Sequence, residues 1–465
     1  MPDLPQPTWR LAVGHALLLA LAVAGFLLIR AYGETLVPAT AGSAPRLGAG
    51  RGGQDVDTLL HVLLALALVI LAARALGALF RAFHQPPVMG EVVAGILLGP
   101  SLLGRLAPDL SAFLLPASVA PLLGTIAQIG IILYMFLVGL ELNPALLRQH
   151  THATVAISQA SIVAPFLLGA TLALWLYPRL SGQDVPFTVF ALFMGVAMSV
   201  TAFPVLARIL TDRGAHKSRI GVMALACAAV NDVTAWCLLA FVVSVAHARV
   251  GGAALTMALT VGYIAAMFLV VRPVIGWLVR RHERDGRLTR GVLGALFAAV
   301  LLSALATEAI GVHALFGAFL LGAIIPHDSA VARDLTGRLE DVVVVLLLPA
   351  FFAFTGLRTR LGLVSGVEQW ALCGVIILVA SLGKFGGTLV AARLAGLGWP
   401  EATGLGVLMN TRGLMELIVL NVGLDLGVIS PTLFAMLVVM ALVTTLATTP
   451  ILEFLSRPRT PGRAS

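Results

Sequence analysis

Asn410-Thr411-Arg412-Gly413-Leu414-Met415-Glu416 lies in the middle of an otherwise apolar run at 402–422. Four polar or glycine residues in succession, closely followed by a carboxylate, are expensive in lipid. Non-helical backbone at that depth survives only where protein or a cavity covers it. A second apolar run, 187–210, carries Met198-Ser199-Val200-Thr201-Ala202-Phe203-Pro204. Proline there removes a backbone donor and clashes with the preceding turn. Taken singly, each feature also fits a proline kink or a misplaced span boundary. Paired interruptions are the better sequence pointer to a transporter site. The half-helix ends they create present dipoles, which Arg412 and Glu416 are of the right sign to neutralise.

The surrounding composition places both runs in a membrane. Of 465 residues, 59% are hydrophobic and 11% charged, against roughly 45–50% and about 25% in soluble domains. So few charges cannot coat a soluble enzyme, and so much apolar surface excludes a disordered chain. Apolar runs fall at about 11–29, 58–80, 86–103, 117–140, 153–176, 187–210, 219–246, 252–278, 291–309, 311–326, 341–357, 369–392, 402–422 and 428–455. Spans of about 20 residues make these 13–14 transmembrane helices of an all-α polytopic protein. The long unbroken runs exclude a β-barrel.

The first run has two readings. Arg10 and the small residues at 39–44 fit a signal peptide, but its apolar core exceeds the usual ~7–15 residues, which favours a retained helix. The chain is therefore divided into an extra N-terminal helix and external linker at 1–57, a transmembrane domain at 58–455 and a short tail at 456–465. Basic residues concentrate in alternate loops, Arg280, Arg281, Arg284, Arg287 and Arg290 among them. The positive-inside rule then puts the C-terminus in the cytoplasm. The net charge of +8 reads as orientation rather than nucleic-acid binding. No nucleotide-binding fingerprint or P-loop is present, so energy for transport has to come from a gradient. Cys227, Cys237 and Cys373 lack metal spacing and read as small core residues.

Ionisable residues inside spans are functional by default. Asp232 lies near the middle of 219–246, in Ala228-Ala229-Val230-Asn231-Asp232-Val233-Thr234. A carboxylate taken out of water holds a proton readily and can trade it for a cation. Asn231 adds a neutral oxygen suited to a hard cation. The alternative is a polar pair that hydrogen-bonds across the bundle. Of two lysines, Lys217 and Lys384, the second is well inside an apolar run. Lysine can release its proton where arginine cannot, so Lys384 reads as a countercharge for Asp232. The alternative is a snorkelling side chain. Glu91 reads as a bundle hydrogen-bonding residue and His313 as a satisfied core histidine.

Several stretches then carry a resemblance. His84-Gln85-Pro86-Pro87-Val88-Met89-Gly90-Glu91, Phe136-Leu137-Val138-Gly139-Leu140-Glu141, Ala229-Val230-Asn231-Asp232, His313-Ala314-Leu315-Phe316-Gly317 and Asn410 to Leu420 resemble, in order, the monovalent cation:proton antiporter-2 family. That family includes Kef-type systems and plant cation/H+ exchangers. The resemblance implies an inverted-repeat Na+/H+-antiporter-like fold with two crossed broken helices and a homodimer in a bacterial inner membrane. It implies exchange of K+ or Na+ for H+ at Asp232, with no cofactor and no enzymatic step. Asn231, Ser199, Thr201 and Thr411 become candidate oxygen donors. Lys384 becomes the countercharge, with Glu416, Arg412 and Asn410 supporting the break. Electrogenic relatives carry two aspartates where this chain has Asn231-Asp232, which implies electroneutral exchange. The regulatory nucleotide-binding domain of Kef-type systems is not expected here. A cation channel and a non-transporting sensor or scaffold on the same fold are the rivals. The channel lacks a TVGYG-like filter. An intramembrane hydrolase lacks both H-E-x-x-H and a nucleophile elbow.

Overall fold

A computed structural model describes residues 8–36, 58–116, 118–141, 152–182, 184–215, 218–247, 253–285 and 289–456. The tail from 457 and the linker from 37 to 57 lie outside the described residues. Within them the chain is nearly all helix, with one isolated bridge between Ser181 and Ile429. Every apolar run carries a helix. Eleven are long and apolar enough to cross a membrane, or up to twelve when the bent pair Trp399–Met409 and Leu414–Asp425 counts as one span. Two apolar helices are shorter, Leu17–Gly33 and Ala314–Ile324. Together these account for the fourteen runs.

The helices pack as two bodies. One, termed the scaffold, contains Thr58–Ala82, Pro87–Leu98, Val119–Glu141, Arg290–Ile310, Ala314–Ile324 and Leu348–Arg358, which pack against one another. The other, termed the core, gathers His152–Leu180, both interrupted spans, Arg219–His247, Gly366–Ser381 and Pro431–Ser456 around a shared interior. The larger helix contacts fall within a body rather than between the two. Close packing in the scaffold relies on glycine. Gly95 and Gly356 meet back to back, so a Cβ on either would overlap the opposing backbone. Lipid gives helices no hydrophobic reason to associate, and close approach of small residues supplies the contact instead.

The N-terminal helix Thr8–Gly33 packs on His152–Leu180 in the core. Phe26 and Phe166 sit with ring centroids 5.9 Å apart, and Glu34 Oε1 accepts from Thr188 Oγ1 at 3.0 Å. Many large apolar side chains on the outer helices, such as Leu28, Leu269 and Leu305, are exposed, as lipid-facing residues should be. Cys227 and Cys373 are buried as expected, whereas Cys237 is exposed.

Candidate functional site at the crossing of two interrupted helices

The first interrupted span runs Phe187–Ser199 and resumes at Phe203–Asp212. Val200 and Ala202 are extended between the halves. Pro204 does not cause the break from within a helix. It occupies the first turn of the second half, where a missing N–H costs nothing. The second span runs Trp399–Met409 and Leu414–Asp425, bent by 43° across Asn410 to Gly413.

The two breaks lie against each other. The Ala202 N–H donates to Thr411 O at 3.1 Å, and Thr201 Oγ1 donates to Met409 O at 3.0 Å. An exposed helix end leaves its last carbonyls without partners. Here Arg412 supplies them, donating from Nη1 to Ala197 O and from Nη2 to Met198 O, both at 2.8 Å. Its Nη1 also reaches Glu416 Oε2 at 2.8 Å. Glu416 sits in the first turn of Leu414–Asp425. The cation thus faces a helix C-terminus and the anion a helix N-terminus, each the sign its dipole favours. Thr445, on the last helix, closes the arrangement. Its hydroxyl lies 2.8 Å from the Arg412 N–H and 2.7 Å from the Arg412 carbonyl.

Asp232 lies on Arg219–His247 and is 4% exposed. Neither of its carboxylate oxygens has a hydrogen-bond partner among the described residues. The backbone N–H of Phe203, at the start of a half-helix, faces it without reaching hydrogen-bond geometry. Lys384 is fully buried and interacts electrostatically with Asp232, Glu416 and Arg412. It sits in a π-helical turn, Leu382–Gly386, a local widening often found where a helix presents a functional group.

Asn231 is held by residues from three other segments. With its amide oriented so that each donor meets an acceptor, Oδ1 lies 3.1 Å from Lys384 Nζ, 3.1 Å from Ser161 Oγ and 3.2 Å from Thr201 Oγ1. Its Nδ2 then donates to Ser158 Oγ at 3.2 Å. Asn231 therefore orients the lysine as well as standing beside the aspartate. Ser199 spends its hydroxyl on backbone, 2.7 Å from Gly195 O and 3.0 Å from Ile162 O. Thr411 Oγ1, Asn410 Oδ1, Thr388 Oγ1 and Glu416 Oε1 are buried without partners. Unpaired buried oxygens are costly, and three of these four belong to the second interrupted span. Among the described residues no three His, Cys, Asp or Glu side chains converge on one point.

Ser158, Ser161, Thr388 and Thr445 were not singled out from sequence. Small hydroxyl residues in apolar runs look like ordinary packing, and only the tertiary neighbours reveal them. Glu91, expected to bond within the bundle, instead lines a cavity of about 480 Å³ between the two bodies. Tyr134, Glu141 and Glu340 of the scaffold share that cavity with Phe203 and Leu414, the first residues of both second half-helices.

Interrupted spans that cross inside an apolar bundle, beside an unpaired carboxylate, define a gradient-driven ion-transport fold. The transmembrane sodium/hydrogen exchanger model matches residues 57–455. The chain belongs to the sodium/hydrogen exchanger family. It is 46% identical over 399 residues to the Na+/H+ antiporter NhaS4 of Synechocystis, covering 85% of this chain and 97% of that protein. It is 40% identical to cation/H+ antiporter 20 of Arabidopsis thaliana, covering 84% of this chain and 48% of that one. It is 35% identical to K+/H+ antiporter 1 of Saccharomyces cerevisiae, over 83% and 45%. The chain thus spans about half the length of these plant and yeast relatives. The fold also matches the sodium proton antiporter MjNhaP1 of Methanocaldococcus jannaschii, with TM-score 0.61, 15% identity, and coverage of 85% and 96%.

Proposed function

We propose that this protein is a secondary active antiporter that exchanges K+ or Na+ for H+. One observation carries the reading. Asp232 is buried beside the helix crossing with both oxygens unpartnered. A carboxylate left in that state needs either a proton or a cation, and alternation between the two is exchange. The names of the relatives agree on cation and proton as cargo.

Asp232 binds H+ and the cation in turn. Asn410, Thr411 and Thr201 are neutral oxygens near the passage. Ser199 contributes less, because its hydroxyl is committed to backbone. Lys384 supplies the countercharge when the cation leaves, and Asn231 holds it there. Arg412 and Glu416 hold the two breaks together and neutralise the dipoles of their half-helix ends. With a single carboxylate in the Asn231-Asp232 pair, exchange is one for one and electroneutral. The chain moves ions and transforms none.

The protein sits in a bacterial inner membrane with its C-terminus in the cytoplasm, as the arginine distribution argues. The cavity at Glu91 and Glu141 then faces inward. The segment 58–455 works as a homodimer, preceded by a retained N-terminal helix. The two bodies support alternating access, the core moving against the scaffold.

The test uses purified protein in liposomes with an internal pH dye and an imposed proton gradient. K+, Na+ and Li+ are added in turn to wild type and Asp232→Asn. A cation-dependent pH change in wild type only is expected. Flux without pH coupling would indicate a channel, and silence from folded wild type would indicate a sensor.

A further inference from the structure

The inner side of the boundary between the two bodies is open, while the outer side is tied. At the outer end, Arg358 of the scaffold helix Leu348–Arg358 reaches across to the core half-helix Leu414–Asp425. Its Nη2 lies 2.5 Å from Asp425 Oδ1, and its Nη1 donates to Asn421 Oδ1 at 3.2 Å. Asn421 answers in the other direction, donating from Nδ2 to Thr355 Oγ1 of the scaffold at 2.9 Å. The Arg358 side chain is 14% exposed and packs over the Phe354 ring at 5.2 Å. Asn421 is 6% exposed.

The placement has a physical cause. Both helices end here, so the guanidinium lies at two helix C-termini, where positive charge is favoured. Asp425, in contrast, sits at a C-terminus that disfavours its charge. It is stabilised there by Arg358. Separation of the bodies would leave an unfavourable aspartate and an arginine with no partner on the core side.

A second cavity, of about 270 Å³, adjoins this contact and lies between the same two bodies. Gln128, Glu308 and His313 line it from the scaffold, and Asn421, Val422 and Asp425 from the core. It is smaller than the inner cavity and shares Asn421 and Asp425 with the tie.

We propose that Arg358, Asn421 and Asp425 form the outer gate of the transport cycle, holding the core against the scaffold while the inner cavity is open. The gate rests on the antiport reading only for its purpose, because the geometry itself concerns two bodies and one boundary. Each cycle breaks the Arg358 contacts, joins the outer cavity to the crossing and closes the inner cavity. Weakening the tie shifts the resting population towards the outward-open form.

The experiment places a reporter at Val422→Cys, with the exposed native thiol removed as Cys237→Ala. Right-side-out vesicles are labelled from outside with a membrane-impermeant maleimide. Arg358→Gln and Asp425→Asn should each raise the labelling rate about fivefold or more, the smallest shift expected of a working coupling. Arg358→Lys, which keeps charge but loses the two-pronged contact, should fall between. In a second arm, Arg358→Cys with Asp425→Cys is bridged by a short bifunctional thiol reagent. Bridging should stop exchange, and a cleavable reagent should restore it on cleavage. Unchanged labelling in both variants, or full exchange in bridged protein, overturns the gate while leaving antiport intact. Altered labelling in a protein that exchanges no cation for protons would sink the antiport reading and leave the gate standing.

Discussion

Arg412 and Glu416 form a 2.8 Å ion pair in which neither side chain reaches solvent. Such pairs are poor stabilisers when they stand alone, since desolvation offsets the attraction. This one is different because the arginine also serves two orphan carbonyls, Ala197 O and Met198 O. It joins the two interrupted spans, and the crossing depends on it geometrically.

The partners are unequal, and the inequality is measurable. Arg412 side-chain nitrogens meet three acceptors, whereas Glu416 meets one donor group. Arg412→Gln should cost about 3–5 kcal/mol, the usual result of stranding a buried charge. Glu416→Gln should cost less, because the carbonyl contacts remain. Arg412→Lys should not rescue, since an ammonium lacks the planar fork. Thermal unfolding of the detergent-solubilised variants checks the ranking. Equal losses for Arg412→Gln and Glu416→Gln would mean that the carbonyl contacts contribute nothing.

Asp232 predicts the reverse relation between stability and function. Its oxygens hold no hydrogen bonds in the resting structure, so removing the charge breaks none. Asp232→Asn should change stability by no more than about 1 kcal/mol, as for substitutions that disturb no bonded network. Exchange should nevertheless be lost. A melting temperature lowered by many degrees would show that the carboxylate is structural.

The sequence made some of this legible and hid the rest, for physical reasons. Membrane helices announce themselves by length and hydropathy, so each apolar run was found. The second break was legible because Asn410 to Gly413 puts polar groups where lipid forbids them. The first was placed only approximately. Pro204 drew attention, but the chain leaves the helix at Val200 and proline simply begins the next half. Asp232, Lys384, Arg412 and Glu416 stood out as charges inside spans. Ser158, Ser161 and Thr445 did not, because a lone hydroxyl in a membrane helix normally bonds its own backbone. Arg358 and Asp425 lie at the ends of apolar runs, where charges are ordinary. Their pairing depends on two helix ends meeting, which no local pattern encodes.

Thr445 and Thr444 offer a paired test of that hidden layer. Thr445 Oγ1 is within hydrogen-bond distance of both the N–H and the carbonyl of Arg412, in non-helical backbone. Thr444 Oγ1 bonds only carbonyls of its own helix, Met440 O at 2.8 Å and Ala441 O at 3.2 Å. Thr445→Val strands a buried backbone donor and should cost about 1–3 kcal/mol. Thr444→Val leaves those carbonyls in their helical bonds and should cost under about 1 kcal/mol. Melting temperatures of the two isosteric variants give the comparison, and a larger loss at Thr444 would contradict it.

Glycine substitutions separate the scaffold from the core. A Cβ at Gly95 would overlap the Phe352 carbonyl, and backbone cannot move aside as a flexible side chain can. Gly95→Ala should therefore push two scaffold helices apart and cost about 1–3 kcal/mol, as overpacking does. Gly404 lies inside the half-helix Trp399–Met409 with nothing within 4 Å of its would-be Cβ. Gly404→Ala should be stabilising by about 0.4–1 kcal/mol, because alanine has less backbone entropy to lose in a helix. Thermal unfolding of each variant decides the matter. If Gly95→Ala were as stable as wild type, the back-to-back contact with Gly356 would not be what holds those helices at their observed spacing.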